Sequence, residues 1–258
     1  MSPEEALAAC EAEVRRSDPD RYFATLFAPA GKRALLFALY AFNHEIARAV
    51  EVAHEPMMAE IRLQWWREAI GEAYEGRPRA QPVAIGVSEL VGCGQISAGA
   101  LAALIDARAE EISSAPFADL AALEFHAHVT SGALMRIAAQ LLDLDAGIEE
   151  LAREAGIAYG LAGVLRSIPF HTARGKSFLP ADLLAAEGRT GAISRVARAA
   201  RNHFECARRL SVPKAAVPAI LPASLVPAYL SHLALGDGSD ISLFRRQLIL
   251  FRAATLGL

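Results

Sequence analysis

Residues 33–51 read RALLFALYAFNHEIARAVE, and the spacing of their apolar side chains predicts an α-helix. These side chains recur at steps of three and four residues, which places them on one face of a helix. They are Leu35, Leu39, Phe42, Ile46 and Val50. Similar stripes cover residues 61–74, 101–112, 125–144, 151–165, 193–210 and 244–256. No segment alternates apolar and polar side chains as a half-buried strand does, so the sequence predicts an all-α protein.

Short polar or proline-containing segments separate the stripes and mark the ends of the predicted helices. They cover residues 17–20, 76–82, 113–119, 180–189 and 236–239. The chain has 258 residues, 53% of them hydrophobic, which is enough to bury one large core. It shows no internal repeat and no glycine-rich phosphate loop. We therefore expect a single helical domain over residues 1–258.

The charge balance argues against a nucleic-acid partner, because 26 basic and 29 acidic residues give a net charge of −3. Cys10, Cys93 and Cys206 are far apart and odd in number, so we expect reduced thiols rather than disulfides or zinc ligands. The polar, acidic stretch over residues 1–20 lacks the basic start and apolar core of a signal peptide. These features predict a cytoplasmic location.

Residues 215–236 carry no charged side chain and have the length of a membrane span. Pro218, Pro222 and Pro227 interrupt the stretch, and each removes a backbone donor and strains a helix. A buried core helix with a proline-rich entry is therefore the favoured interpretation. Peripheral contact with a membrane stays open.

Two stretches carry a resemblance to a known family. Residues 33–51 are followed by IRLQWWREAI at residues 61–70, and residues 161–180 read LAGVLRSIPFHTARGKSFLP. In order and spacing they resemble the squalene/phytoene synthase family, and the likeness covers most of the chain. The resemblance implies an all-α isoprenoid (terpenoid) synthase fold, with helices around a central apolar cavity.

Family enzymes that condense two prenyl diphosphates carry two acidic motifs, which hold magnesium. One is of the Asp-Asp-x-x-Asp type, and the other has an asparagine followed by aspartates four and eight residues later. Carboxylates spaced by four lie on one helix face, and their oxygens suit Mg²⁺. The metal then neutralises the diphosphate as it leaves.

Both motifs are replaced in this chain. The first falls on residues 47–51, where Glu51 is the one carboxylate and Arg48 would repel a metal, and the preceding arginine falls on His44. In the second motif the asparagine falls on Gly163, and the aspartates fall on Ser167 and His171. Pro169 lies between those two positions, and we expect it to kink the helix and push Ile168 toward an extended conformation. We therefore expect no magnesium and no other cofactor.

The basic residues near the family's diphosphate site remain. They are Arg33, Arg166, Arg174 and Lys176. Such a group could accept a bare anion through charge-assisted hydrogen bonds. A solvated face with charges at helix ends is an equal alternative.

A narrower resemblance points to the squalene/phytoene synthase-like assembly factors of respiratory complex I. It rests on "LR…PxH…R…K…FLP" at residues 165–180, together with Asn43 and Glu45. The resemblance implies a non-catalytic protein whose partner is a complex I subunit or an isoprenoid or lipid ligand. Peripheral contact with the inner membrane is an open option beside a cytoplasmic location. The alternative is a prenyltransferase with a reorganised site.

Other side chains in these stretches allow two interpretations each. Asn43, His44 and Glu45 could line a ligand site or form a satisfied buried polar cluster. His171 could act as a general base, but no nucleophile or orienting carboxylate lies near it in sequence. Trp65 and Trp66 are expected to divide between core and surface, or to form an aromatic wall.

Overall fold

The computed structural model describes residues 1–53, 55–113, 115–142, 147–235 and 241–257, and every regular element within these ranges is helical. The α-helices are α1 (Pro3–Ser17), α2 (Pro19–Thr25), α3 (Ala30–Glu51), α4 (Pro56–Tyr74), α5 (Pro82–Gly92), α6 (Ala98–Ala109), α7 (Leu120–Ala127), α8 (Ala133–Leu142), α9 (Glu149–Thr172), α10 (Ala181–Arg209), α11 (Val217–Ile220), α12 (Val226–Leu235) and α13 (Leu243–Leu256). A π-helical turn (His128–Gly132) joins α7 to α8, and 3₁₀ turns cover Glu110–Ile112, Lys214–Ala216 and Leu221–Leu225. The prediction of an all-α protein is confirmed.

Local sequence explains where several helices begin. At α1 the Ser2 hydroxyl accepts from the Glu5 backbone N–H, while the Glu5 carboxylate accepts from the Ser2 N–H. This reciprocal pair satisfies two backbone donors that a helix start leaves open. Asp18 caps α2, and its position confirms the predicted break at residues 17–20.

Residue contacts divide the chain into two compact units. The first comprises Met1–Ser113 and Ile137–Ala146, and α3 lies at its centre, packed against α1, α4 and α5. The predicted stripe of α3 is buried at Leu39, Phe42 and Ile46, as amphipathic spacing requires. The prediction of one domain over residues 1–258 stays a prediction.

The second unit comprises Ser114–Arg136 and Gly147–Leu258, and its core forms where α9 packs against α10, α12 and the π-helical turn. Among the described residues, the stretch Lys214–Leu233 has the length and hydropathy of a membrane span, yet 72% of its most apolar window is buried inside the protein. The described part of the predicted stretch, residues 215–235, therefore forms mostly buried turns and helices, which confirms the favoured interpretation.

Two local predictions are wrong. Helix α9 continues through Pro169 to Thr172, so Ile168 is helical rather than extended. The proline lies in the last turn, where it removes one backbone hydrogen bond and the chain leaves the helix soon afterwards. Residues 180–189 are not a simple break, because α10 already begins at Ala181 and is interrupted only at Gly188. The predicted break at 236–239 lies outside the described residues.

Candidate functional site

The end of α9, the turn after it and the start of α10 enclose a pocket of about 360 Å³ in the second unit. It includes His171, one of the three residues that stand at the positions of the second acidic motif. Its lining consists of Val164, Ile168, His171, Thr172, Gly175, Lys176, Ser177, Phe178, Leu179, Leu184 and Arg189. We refer to it as the α9–α10 pocket.

The turn between the two helices is tight, and this brings Lys176 beside His171. The backbone N–H of Lys176 donates to the carbonyl of His171 at 3.0 Å. Gly175 has φ of +68°, a left-handed conformation that favours glycine. The imidazole of His171 is buried, and its ring centroid lies 4.4 Å from that of Phe178 and 5.3 Å from that of Phe170. His171 thus belongs to an aromatic cluster at the pocket wall.

Arg189 supplies a second cation that sequence reasoning missed. Gly188 adopts φ of +68° and ψ of −179°, which interrupts α10 and starts a new helical segment at Arg189. The Arg189 guanidinium donates to the Thr172 hydroxyl at 3.2 Å. Gly188 is the one sequence feature that could have indicated it, because glycine favours such an interruption. The lining of the α9–α10 pocket therefore includes two cations, Lys176 and Arg189, and the hydroxyls of Thr172 and Ser177. Such a set of hydrogen-bond donors suits an anion.

Two predicted basic residues do not line this pocket. The guanidinium carbon of Arg166 lies 3.8 Å from the ring centroid of Tyr229, and that of Arg174 lies 3.6 Å from the centroid of Phe170. Both are cation–π contacts, which suit the flat guanidinium better than a lysine. A buried arginine that sequence reasoning missed, Arg246, donates to the Tyr229 hydroxyl at 3.4 Å. The structure thus brings together His171 and Lys176, and holds Arg166 in a separate aromatic contact.

The predicted residues of α3, all in the first unit, also separate. The imidazole of His44 pairs with Glu13 at 3.3 Å, and Glu51 is exposed at the end of the helix. Arg33, just inside the start of α3, donates to the carbonyl of Ala28 at 2.9 Å. Asn43 is buried, and its side-chain oxygen has no hydrogen-bond donor among the residues that the structure describes. The three neighbours at 43–45 are therefore not one satisfied polar cluster.

Glu45 and Arg48 line a second pocket, of about 440 Å³, between α3, α4 and the start of α5. We refer to it as the α3–α4 pocket. Its lining consists of Glu45, Arg48, Ala49, Val52, Ile61, Arg62, Trp65, Trp66 and Gln81. The two tryptophans divide as predicted, because Trp66 is buried and Trp65 is partly exposed.

Arg79 holds Trp65 in place at the edge of the α3–α4 pocket. Its guanidinium lies 5.0 Å from a ring centroid of Trp65 and donates to Glu68 at 2.8 Å and to Glu72 at 2.6 Å. These hydrogen bonds hold the pKa of both carboxyls below their ordinary value. The indole ring is therefore fixed by an ion-pair network outside the pocket.

Comparison with known proteins identifies the family. The squalene/phytoene synthase family model matches residues 14–249. The chain belongs to the squalene/phytoene synthase family. Among solved structures, a dehydrosqualene synthase superposes with a TM-score of 0.81 at 16% identity, covering 97% of this chain and 95% of that one. A squalene synthase from Alicyclobacillus acidocaldarius gives a TM-score of 0.77 at 17% identity, covering 93% of this chain and 97% of that one. The isoprenoid synthase fold is confirmed.

Curated relatives match the narrower resemblance. The NADH dehydrogenase (ubiquinone) complex I assembly factor 6 of Bos taurus is 28% identical over 241 residues, which cover 87% of this chain and 72% of that protein. The Drosophila melanogaster homologue of that factor is 29% identical over 248 residues, which cover 87% of this chain and 74% of that protein. Both are named for the assembly of complex I.

The residues at the family's acidic positions do not fit magnesium. Residues 47–51 offer one carboxylate beside Arg48, and the second motif offers a hydroxyl and an imidazole where two carboxylates belong. Mg²⁺ requires oxygen ligands in near-octahedral geometry. Within the described ranges, no three or more His, Cys, Asp or Glu side chains are grouped so that they could hold a metal ion.

Proposed function

We propose that this member of the squalene/phytoene synthase family is a non-catalytic assembly factor for respiratory complex I. The observation that carries the proposal is the patterned replacement of both acidic motifs. Carboxylates are lost at residues 47, 48, 167 and 171, while the basic Lys176 beside "FLP" is kept. Random loss would not be expected to preserve that basic flank. The relatives named for complex I assembly match 87% of this chain at 28% and 29% identity, which supports the proposal.

A genetic experiment tests the assembly role. Deletion of the gene in the native host should reduce fully assembled complex I on blue-native gels, together with NADH–quinone activity. The wild-type gene should restore both. Unchanged complex I in the deletion strain would contradict the proposal.

A paired variant asks whether the α9–α10 pocket serves this role. Lys176→Gln combined with Arg189→Gln removes two cations that line the pocket. We expect this double variant not to restore complex I, because its anion site is lost. Arg195→Gln is the matched control. Arg195 also lies on α10 but does not line the pocket, and its ion pair with Glu187 is long, at 3.8 Å, and half exposed. If the double variant restores complex I as well as the control does, the α9–α10 pocket is not required for assembly.

An enzymatic assay tests the non-catalytic part. The purified protein, incubated with farnesyl diphosphate and Mg²⁺, should release no diphosphate above the protein-free background. Release that disappears on addition of EDTA would favour the alternative, a prenyltransferase with a reorganised site.

We also propose that α13 makes peripheral contact with an anionic membrane. Phe244, Leu248 and Phe251 lie at i, i+4 and i+7 and are exposed, so they form an apolar stripe on one helix face. Arg245 and Arg252 are also exposed, and residues 241–257 contain no acidic side chain. An exposed apolar stripe with arginines on the same helix suits an anionic lipid surface.

Vesicle flotation tests this contact. The protein should float with phosphatidylglycerol vesicles and much less with phosphatidylcholine vesicles, because the arginines attract anionic headgroups. Phe244→Ser combined with Phe251→Ser should abolish flotation. Phe125→Ser, which changes an exposed phenylalanine on α7, is the control. Equal flotation of the double variant would exclude α13 as the contact surface.

A further inference from the structure

The α3–α4 pocket lies mostly on a different side of α3 from the family's first acidic motif, with which it shares Arg48. Glu45, Arg48, Ala49 and Val52 line it and follow the i, i+3, i+4, i+7 spacing of one helix face. Residues 47 and 51, where the family motif begins and ends, lie about 150° and about 110° around the helix axis from the middle of that face, at 3.6 residues per turn. Of the three acidic positions of that motif, Arg48 lines the pocket, and residues 47 and 51 are not among its lining residues.

Arg62 is a half-buried cation at the wall of this pocket, and one of its nitrogen atoms points away from solvent. Its Nη1 atom is buried and has no hydrogen-bond acceptor among the residues that the structure describes. The guanidinium also has no carboxylate within ion-pair distance in the described part of the chain. Leaving a buried charged donor unsatisfied is costly, so such a group indicates a missing acceptor. A bound anion at the pocket would supply one.

The other polar groups of the α3–α4 pocket also favour an anionic ligand. Arg48 also lines the pocket, and its pairing with Glu45 is long, at 3.8 Å, with the Arg48 side chain 54% exposed. Such an exposed pair contributes little, and it leaves the guanidinium able to turn to another acceptor. The Gln81 carboxamide oxygen accepts from the Ala84 N–H at 2.7 Å, so its NH₂ group is the part that can donate to a ligand. Two cations and an amide donor thus face one carboxylate.

The rest of the wall is apolar and partly open. Ile61 and Val52 are exposed, and they lie beside the Trp65 ring that Arg79 fixes. A volume of about 440 Å³ falls within the range of small-molecule pockets. A pocket with cationic donors and an exposed apolar wall fits a molecule with one anionic end and an apolar body.

We propose that the α3–α4 pocket binds a single-headed anionic amphiphile, with its carboxylate or phosphate at Arg62 and Arg48 and its apolar chain against Trp65 and Ile61. The inference is independent of the assembly role, because it concerns the first unit and a ligand rather than a protein partner. Amphiphile binding is measured on the isolated protein, and the assembly role is measured by complementation in the host. A negative result in one experiment therefore does not decide the other.

Tryptophan quenching tests the proposal directly, because both tryptophans of the chain line this pocket. Bromododecanoate below its micelle concentration should quench the emission through bromine contact, and unbrominated dodecanoate should compete. Dodecyl phosphate should compete as well, which ranks a phosphate head against a carboxylate head. Dodecanol should compete at least about tenfold more weakly, because it lacks the charge that Arg62 requires.

Matched arginine variants locate the anionic head. Arg62→Met should weaken bromododecanoate binding by about 10-fold to 100-fold, the factor for one charge-assisted hydrogen bond. Arg67→Met is the control, since Arg67 lies on the same helix, pairs with Asp106 at 2.8 Å and does not line the pocket. Arg48→Met, a change at an exposed side chain, should also weaken binding and covers the case in which Arg62→Met does not fold.

Three results would overturn the proposal. The first is quenching by bromododecanoate no greater than the effect of dodecanoate. The second is equal affinity for dodecanoate and dodecanol, which would show that the pocket binds the apolar chain without recognising the charged head. The third is wild-type affinity in folded Arg62→Met and Arg48→Met proteins, with folding checked by circular dichroism.

Discussion

Gly156 on α9 is the position where one added methyl group should be most damaging. A Cβ at residue 156 would lie 2.2 Å from the Cα of Gly132, 2.5 Å from its backbone nitrogen and 3.0 Å from the carbonyl carbon of Ser131. All three are backbone atoms of the π-helical turn, so no side-chain rotation can relieve the contact. Gly156→Ala therefore requires α9 and this turn to move apart.

The size of the effect follows from that geometry. The helix must shift by about 1.2 Å to restore an ordinary van der Waals separation. Overpacking of this kind typically costs about 1–3 kcal/mol, and rigid backbone atoms place this case at the upper end. Alanine returns about 1 kcal/mol through its better helix propensity. We expect a net loss of about 2 kcal/mol in the free energy of unfolding, or about 4–8 °C in Tm.

Gly163→Ala, two turns further along the same helix, is the matched control. A Cβ there meets nothing within 4 Å, so only the propensity gain of about 0.5–1 kcal/mol should remain. Urea unfolding followed by circular dichroism would measure both variants against the wild type. Equal stabilisation of the two variants would refute the close approach of α9 to the π-helical turn.

Two further predictions concern titratable groups. Burial lowers the pKa of His128 below its ordinary value, and Arg153 and Arg136 lower it further, so the unfolded chain binds a proton that the folded protein resists. The free energy of unfolding should therefore decrease as pH falls through about 6.5, and this decrease should be smaller in His128→Gln, as urea titrations at several pH values would reveal. Burial, with a smaller effect of Glu13, raises the pKa of the Cys10 thiol to about 12, so Cys10 should resist iodoacetamide at pH 8 while exposed Cys206 reacts. Mass spectrometry of tryptic fragments would check this order of labelling, and equal labelling of both thiols in the native protein would contradict it.

The local sequence was sufficient for the fold class and for many helices. The stripe of α3 and the breaks near residues 18 and 80 depend on spacing and on proline, which act within a few residues. The same local reasoning was wrong at Pro169, because a proline in the last turn removes only one hydrogen bond. Helix α5 was not predicted, since its apolar side chains form no clear stripe.

The candidate sites show a different limit. Lys176 and His171 could be predicted as candidates from the sequence, because both belong to one short motif whose residue types and spacing resemble those of the family. Arg189 joins them only because Gly175 and Gly188 turn the chain between α9 and α10. Sequence position alone cannot indicate such a meeting.

The sequence by itself determined that this chain is helical, that it resembles the squalene/phytoene synthase family and that both acidic motifs are replaced. Each of these depends on residue types at short, fixed spacings. Only the tertiary structure decided which cations share a pocket: it holds Arg166 against Tyr229, brings Arg189 to Lys176, and leaves Arg62 without an acceptor among the described residues. The physical reason is that partners and burial are set by packing between helices distant in sequence, which determines where a charge is satisfied and where it is left for a ligand.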